Sequence, residues 1–331
     1  MNSTFPVLQS TLSETDLAVF IQEKYKLSSI TSCKIFRAAM NHVYMITDDT
    51  KKYVFRVYTH NWRNKLEIEE EMRFLLHLKD HNCPVAFPIR DAADKLIQEL
   101  NAPEGLRYGV LFSFADGQKS ARFSAETSFY IGKALAQVHQ LSENFSLQRI
   151  SYSKDVLLKD SLIRTQAFFT KNSEELQYLG RLADFLGKKF DEVDTQDLRF
   201  GAVHMDVWFD NMHFTDQNAV CLFDFDFCGN GYLSLDVSYF LYQLFSTNLN
   251  ENDYKEKAEQ FLKGYESIHM LSQAEKDFLP YACLAVMNYY LSMQCDRFAY
   301  WTNIFLNEDH LKRFVAGLKR WIIYNKIEMN E

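Results

Sequence analysis

From about residue 118 onward the chain reads as one helix after another, and only Leu198 to Asp226 interrupts the pattern. There the β-like runs "LRFGAVH", "NMHF" and "AVCLFDF" are separated by short polar turns. A helical body must therefore house a small strand insertion. The insertion also gathers side-chain acceptors. "GAVHMDVWFDNMHF", Gly201 to Phe214, carries His204, Asp206, Asp210, Asn211 and His213 among apolar neighbours. Two readings of these polar groups stand side by side: caps and turns between strands, or a site that handles a proton and a metal ion.

The remainder of the chain limits the choices. "STLSETDLAVFIQEKY" opens with cap candidates ahead of Leu17, Phe20 and Ile21, a first amphipathic helix. "CKIFRAAMNHVYMIT" and "KKYVFRVYT", joined by "DDTK", read as a hairpin. "LEIEEEMRFLLHLKDH" places Ile68, Met72, Leu75, Leu76 and Leu78 on one side of a helix. "CPVAFPI" and "GLRYGVLFSF" read as further strands before "ADGQ" breaks the pattern. The expected architecture is α+β: a small lobe over residues 1–117, a short connector, and a larger, mainly helical lobe over 118–331. With only 11 Gly and 5 Pro in 331 residues, long helices are favoured over a turn-rich all-β fold.

Charge and cysteine usage exclude some partners. A net charge of -8 argues against a nucleic-acid surface, which needs a Lys/Arg excess over the phosphates. The six cysteines have no C-x-x-C spacing and mostly sit in apolar runs, as small buried hydrophobes of a reducing compartment do. No basic segment followed by an apolar run opens the chain, and no stretch approaches about 18 uncharged apolar residues. The expectation is a soluble, cytoplasmic protein without a membrane or nucleic-acid partner.

If "NMHF" and "AVCLFDF" pair around "TDQN", Asn211 and Asp224 approach each other at the open end of the hairpin. Asp206, in the loop just before, faces the same point. Phosphoryl transfer needs such a set. One carboxylate orients the acceptor hydroxyl and takes its proton, while an amide oxygen and a second carboxylate hold Mg²⁺ on nucleotide phosphates. An all-oxygen set suits Mg²⁺ better than zinc, which favours His and Cys.

"H-M-D-V-W-F-D-N" fits the H-x-D-x-x-x-x-N catalytic loop of kinases. "LFDFDFCGNGYLSLDVSYFL" resembles the metal-binding segment of the aminoglycoside phosphotransferase/choline kinase group, and Asp236 holds the place of an Asp that begins a helix there. The group also includes type II homoserine kinases and a bacterial stress-response protein kinase. The resemblance implies a bilobal protein-kinase-like fold, with a small antiparallel-sheet N-lobe and a helical C-lobe. It implies an ATP- and Mg²⁺-dependent transfer to a hydroxyl of a small molecule of aminoglycoside, choline/ethanolamine or homoserine type. By the same resemblance Asp206 is the catalytic base, Asn211 and Asp224 bind Mg²⁺, and Asp226 supports a second metal or the substrate. His204 is an orienting residue rather than a proton carrier, and Asp210 and His213 have no matching role. Met205 stands where the antibiotic kinases usually have Gly.

In the first lobe the resemblance is looser. Arg56, in "YVFRVY", occupies the place of the Lys that meets the α- and β-phosphates; Arg keeps the charge but differs in reach and geometry. Glu71 falls where a helix supplies the Glu that pairs with that cation, with Glu69 and Glu70 as neighbouring candidates. Asn41 and Tyr44 keep their places in the phosphate-covering segment, whereas Ala38 and Ala39 replace a Gly pair. Phe112, Ser113, Phe114 and Ala115 match the connector whose backbone meets the purine. "IGKALAQVHQL" matches a helix whose His139 packs under the catalytic loop. Two alternatives stay open: a nucleotide-binding pseudokinase or regulatory protein, suggested by Arg56 and the Gly-poor loop, and a protein Ser/Thr kinase of the same fold.

Overall fold

The computed structural model describes residues 5–28, 32–49, 51–169, 173–193, 195–248, 250–300 and 304–329. The chain divides into two compact units, Met1–Asp116 and Gly117–Glu331.

Unit 1 begins with α1 (Glu14–Tyr25), whose N-cap Ser13 accepts the Asp16 N–H. The first β-like run is not one strand. It folds back on itself as β1 (Ser32–Ala38) and β2 (His42–Asp48), with Ala39, Met40 and Asn41 making the turn. β3 (Lys51–Val57) pairs with β2 from Asp48↔Lys51 to His42↔Val57, giving the expected hairpin; Thr50 of its turn lies outside the described residues. The helix α2 (Lys65–Asp80) starts at a reciprocal capping box between Asn64 and Glu67. It buries Ile68, Met72, Phe74, Leu75 and Leu78, together with Glu70 and Glu71, while Leu76 is only half-buried.

The last two strands correct the expectation. "CPVAFPI" is not a strand: Pro84 and Pro88 lack the N–H a ladder needs, and the segment makes only isolated bridges such as Pro88↔Phe112. Instead β4 (Ile97–Ala102) pairs with β5 (Gly105–Ser113). The run "IQELNA" hides its alternation because Gln98 is a buried position, its amide donating to Asp91 Oδ2 at 3.1 Å. The five strands form one antiparallel sheet in the order β1-β2-β3-β5-β4. Leu17 and Ile21 of α1 pack on its Tyr44, Ile46, Phe55, Val57 and Leu111 to make a core.

Unit 2 is mainly helical: α3 (Ala125–Ser142), α4 (Ser161–Phe168) and α5 (Glu174–Glu192) precede the insertion. α4 and α5 are separate helices, the second capped by Ser173; residues 170–172 lie outside the described ones. The insertion supplies β6 (Phe200–Val203), β7 (Met212–Phe214) and β8 (Val220–Leu222), and extends further than expected, to β9 (Gly229–Tyr232). β7 and β8 form the expected hairpin, with Met212↔Leu222 and Phe214↔Val220. β6 pairs with β9, whose "GNGY" carries little strand propensity. The Asn230 side chain holds it, accepting the Leu147 N–H and donating to the Leu147 carbonyl, each at 2.8 Å.

α6 (Ser234–Thr247), α7 (Glu251–Glu266), α8 (Gln273–Asp296) and α9 (Glu308–Tyr324) complete the unit. α3 lies backbone-close to α7 because Gly132 and Gly264 face the carbonyls of Phe261 and Phe129, where any Cβ would collide. All six cysteines are free thiols, and Cys33, Cys228, Cys283 and Cys295 are buried. Among the described residues, no helix is long and apolar enough to cross a membrane.

Candidate active site

β6 ends at Val203, and the chain then turns sharply around one buried carboxylate. Asp236, in the first turn of α6, accepts the His204 N–H on Oδ2 and the Met205 N–H on Oδ1, both at 2.7 Å. His139 of α3 adds a third contact, Nε2 to Asp236 Oδ2 at 3.1 Å, and its Nδ1 meets the Tyr265 hydroxyl at 2.7 Å. The grip forces Met205 into the left-handed region, φ 62°. A side chain there costs about 1–2 kcal/mol, which explains why Gly suits this place.

His204 is committed on both ring nitrogens. Nδ1 accepts the Asp206 N–H at 3.2 Å, so Nε2 carries the hydrogen and donates to the Phe223 carbonyl at 3.1 Å. Its ring packs on Phe225, with centroids 4.2 Å apart. His204 thus ties the loop after β6 to the exit of β8.

Asp206 lies half-buried in that loop. Asn211 donates its amide to Asp206 Oδ2 at 2.7 Å and to the Asp206 carbonyl at 3.0 Å. Asn211 in turn closes the hairpin's open end, its carbonyl accepting the Phe223 N–H at 3.0 Å. Asp224 follows at once, half-exposed and in the left-handed region at φ 65°. Burial and the charge of Asp224 push the Asp206 carboxyl above its ordinary range, while Arg297 and the Tyr239 hydroxyl pull it back. Asp226, buried in the single turn Phe225–Phe227, accepts Arg149 on its carbonyl at 2.6 Å.

Three neighbours of this site carry no motif. Tyr239 donates its hydroxyl to Asp206 Oδ1 at 3.0 Å. Burial and the Asp206 charge hold that phenol far above its ordinary range, so it stays a donor. Tyr290 of α8 lies beside it, ring centroids 5.8 Å apart. Tyr239 follows Asp236 by three residues, hence one helix face, a signal present in the sequence. Tyr290 and Arg297 lie on a distant helix end with no spacing to betray them.

In unit 1 the buried Arg56 donates Nη1 to Glu71 Oε1 at 2.8 Å. The Tyr58 hydroxyl completes a triangle, donating to Glu71 Oε2 at 2.9 Å and accepting from Arg56 at 3.3 Å. The guanidinium lies 4.8 Å from the Phe112 ring centroid. Of the neighbouring acids, Glu69 is exposed and Glu70 forks onto Arg73, so Glu71 alone of the three meets Arg56. Asn41 accepts the Thr59 N–H at 3.4 Å in the turn after β1. Phe112 pairs with Val54 inside the sheet, and the Ser113 N–H is bound to the Phe87 carbonyl at 2.9 Å, so that donor is not open to a purine. Phe114 stacks under Lys52 at 5.6 Å and Ala115 is buried. A cavity of about 680 Å³ in the same unit, lined by Lys24, Lys65, Glu69, Arg73 and Arg90 among others, includes neither Arg56 nor Glu71 nor Asn41.

Among the described residues no group of three or more His, Cys, Asp or Glu is placed to hold a metal. The set at the hairpin is two carboxylates and an amide. This geometry agrees with what comparison finds: residues 33–271 match the model of the phosphotransferase enzyme family, APH. The chain belongs to that family. An uncharacterized protein of Synechocystis sp. is 31% identical over 278 residues, covering 83% of this chain and 76% of its own length. The homoserine kinase of Agrobacterium fabrum is 28% identical over 281 residues, 81% of each chain. Among solved structures, amicoumacin kinase hAmiN, in complex with AMP-PNP, Ca²⁺ and Ami, superposes with a TM-score of 0.75 at 22% identity, covering 96% of this chain and 95% of that one. The fold is the kinase-like fold of these enzymes, and the protein is a phosphotransferase.

Proposed function

We propose that this phosphotransferase moves the γ-phosphoryl group of ATP to a hydroxyl of a small molecule, with Asp206 as the base and Mg²⁺ on Asn211 and Asp224. The observation that carries the reading is the tethered carboxylate of Asp206. Asn211 and Tyr239 each fix one of its oxygens, which leaves further lone pairs aimed by two donors. The acceptor hydroxyl gives its proton to Asp206 as its oxygen bonds to the γ-phosphorus; the bond from phosphorus to the bridging oxygen breaks and ADP leaves. Most of the rate gain comes from positioning and from preset charges.

The residues present suit Mg²⁺. Asn211 commits its amide nitrogen to Asp206 and keeps its amide oxygen uncommitted among the described residues, and Asp224 is half-exposed. One amide oxygen and one carboxylate match a cation that keeps waters and phosphate oxygens as its other ligands. When bound, the ion neutralises charge on the phosphates. Within unit 1, Arg56 is a positive charge held by Glu71 and Tyr58, in the place where the family carries a phosphate-binding Lys. His204 and Asp236 hold the loop backbone. The nucleotide in amicoumacin kinase and the kinase relatives support ATP as donor.

The test is acceptor-dependent ADP release, screened across amino alcohols, sugars, hydroxy amino acids, choline and aminoglycosides. The wild-type enzyme is expected to release ADP with at least one hydroxyl compound and Mg²⁺, with Asp206→Ala silent. Mg²⁺·ATP binding without release for every acceptor would overturn the reading in favour of a binding protein.

A further inference from the structure

The sheet of unit 1 ends on an open edge. β4 stands last in the strand order and pairs only with β5. Tyr108 of β5, which lies opposite Glu99, spends its carbonyl on the Tyr58 N–H at 2.8 Å and so faces β3. Antiparallel alternation then turns Gln98, Leu100 and Ala102 toward β5 and leaves the N–H and C=O of Ile97, Glu99 and Asn101 on the outer side. Among the described residues nothing bonds to them there.

Two helices make this edge the floor of a groove. Glu99 meets Lys65 of α2 at 3.0 Å, and Gln98 donates to the Tyr25 hydroxyl of α1 at 3.4 Å, so β4 runs between them. Asp16, Phe20 and Lys24, spaced four apart, turn one face of α1 along the groove. The cavity of about 680 Å³ covers Leu96 to Glu99, and a second of about 350 Å³ covers Glu99 to Asn101; the two share Phe20 and Glu99. Phe20, Met72 and Leu76 supply apolar walls. The larger cavity is basic in a chain of net charge -8: Lys24, Lys65, Arg73, Arg90 and Lys95 face only Glu69 and Glu99. Lys24 and Lys95 make no ion pair among the described residues.

An open ladder beside a helix is what an extended peptide uses when it joins a sheet as a further strand. Main-chain bonds give affinity and the flanking pockets give specificity. We propose that this groove docks an extended segment of a partner protein, paired to Ile97, Glu99 and Asn101. Its apolar side chains rest on Phe20, Met72 and Leu76, and its acidic residues meet Lys24, Arg90 and Lys95. Charge selects the occupant: β4 of a second copy would bring one basic groove against another, whereas an acidic strand neutralises it. The groove lies wholly within unit 1 and contains none of the residues assigned to phosphoryl transfer, so each reading can fail alone.

Short random peptides displayed on phage and selected on the full-length protein supply the probe. Selected sequences are expected to carry Asp or Glu toward one end and apolar residues beyond it. A labelled synthetic copy is then titrated by fluorescence anisotropy. Methylating one set of alternate peptide amides is expected to weaken binding ~10-fold or more, and the other set far less, because only alternate N–H groups face the sheet. Glu99→Pro removes one outward N–H while sparing the bonds to β5, and a loss of similar size is expected. Arg90→Glu combined with Lys95→Glu is expected to weaken binding and flatten its dependence on salt.

Equal losses from the two methylated sets overturn strand pairing, and that comparison uses the wild-type protein alone. Affinity unchanged by Glu99→Pro in a folded protein overturns it too. Full displacement of the peptide by inorganic pyrophosphate, with ADP saturating the nucleotide site, would make the basic end a small-anion site instead. A dimer in sedimentation that Glu99→Pro dissociates would give the edge to a second copy. Failure to select any peptide also ends the proposal and leaves the phosphotransfer reading untouched.

Discussion

Asp206, the proposed base, has both carboxylate oxygens tethered, and its proton affinity is set by opposing neighbours. Burial and Asp224 raise it; the Tyr239 hydroxyl and Arg297 lower it. Tyr239→Phe removes a donor that favours the ionised form, so the Asp206 pKa climbs further and a higher pH is needed to ionise the base. The acid limb of the kcat/KM profile is therefore expected to move to higher pH in Tyr239→Phe, measured against wild type in the same buffers. An unmoved limb, or one moved to lower pH, would show that Tyr239 does not tune the base. That Asn211 comes to Asp206 was legible because one short loop carries both. Glu71 stood out from Glu69 and Glu70 only in the structure, where its side chain is the one that meets Arg56. Tyr239 lies three residues after Asp236, a helix spacing that the sequence shows without naming its partner. Arg297 and Tyr290 carry no such signal, because their nearness depends on how α8 lies against α6.

At the scale of elements, three pieces of unit 2 are joined through one side chain. Asp236 begins α6, its carboxylate holds the turn after β6, and His139 brings α3 to the same point. Asp236→Ala leaves two buried N–H groups and an imidazole without their acceptor. A loss of about 3–5 kcal/mol is expected, the scale for breaking a buried charged hydrogen-bond group. Urea unfolding measures it, and a change below about 1 kcal/mol would contradict the clamp. The same turn keeps Met205 left-handed, so a catalytic loop that ordinarily uses Gly is held by Asp236 and not by permissive backbone. Elements whose burial alternates by residue type were readable; β4 and β9 were not. β4 buries Gln98 on a hydrogen bond to Asp91, and β9 is mostly glycine and asparagine, held by Asn230. Val85, Phe87 and Ile89 made "CPVAFPI" resemble a strand, while its two prolines denied it the ladder.

For the whole molecule, the helical half with a small strand insertion was visible in the sequence because helix and strand periodicities differ so clearly. The two compact units are Met1–Asp116 and Gly117–Glu331. The proposed mechanism rests on one residue. The most direct measurement is kcat for the best acceptor in Asp206→Ala, made on protein whose circular dichroism and urea midpoint match wild type and which still binds Mg²⁺·ATP. A fall of roughly 10²–10⁴-fold is expected, the usual contribution of a positioned general base. Turnover within a few-fold of wild type would contradict Asp206 as the base and, with it, the mechanism.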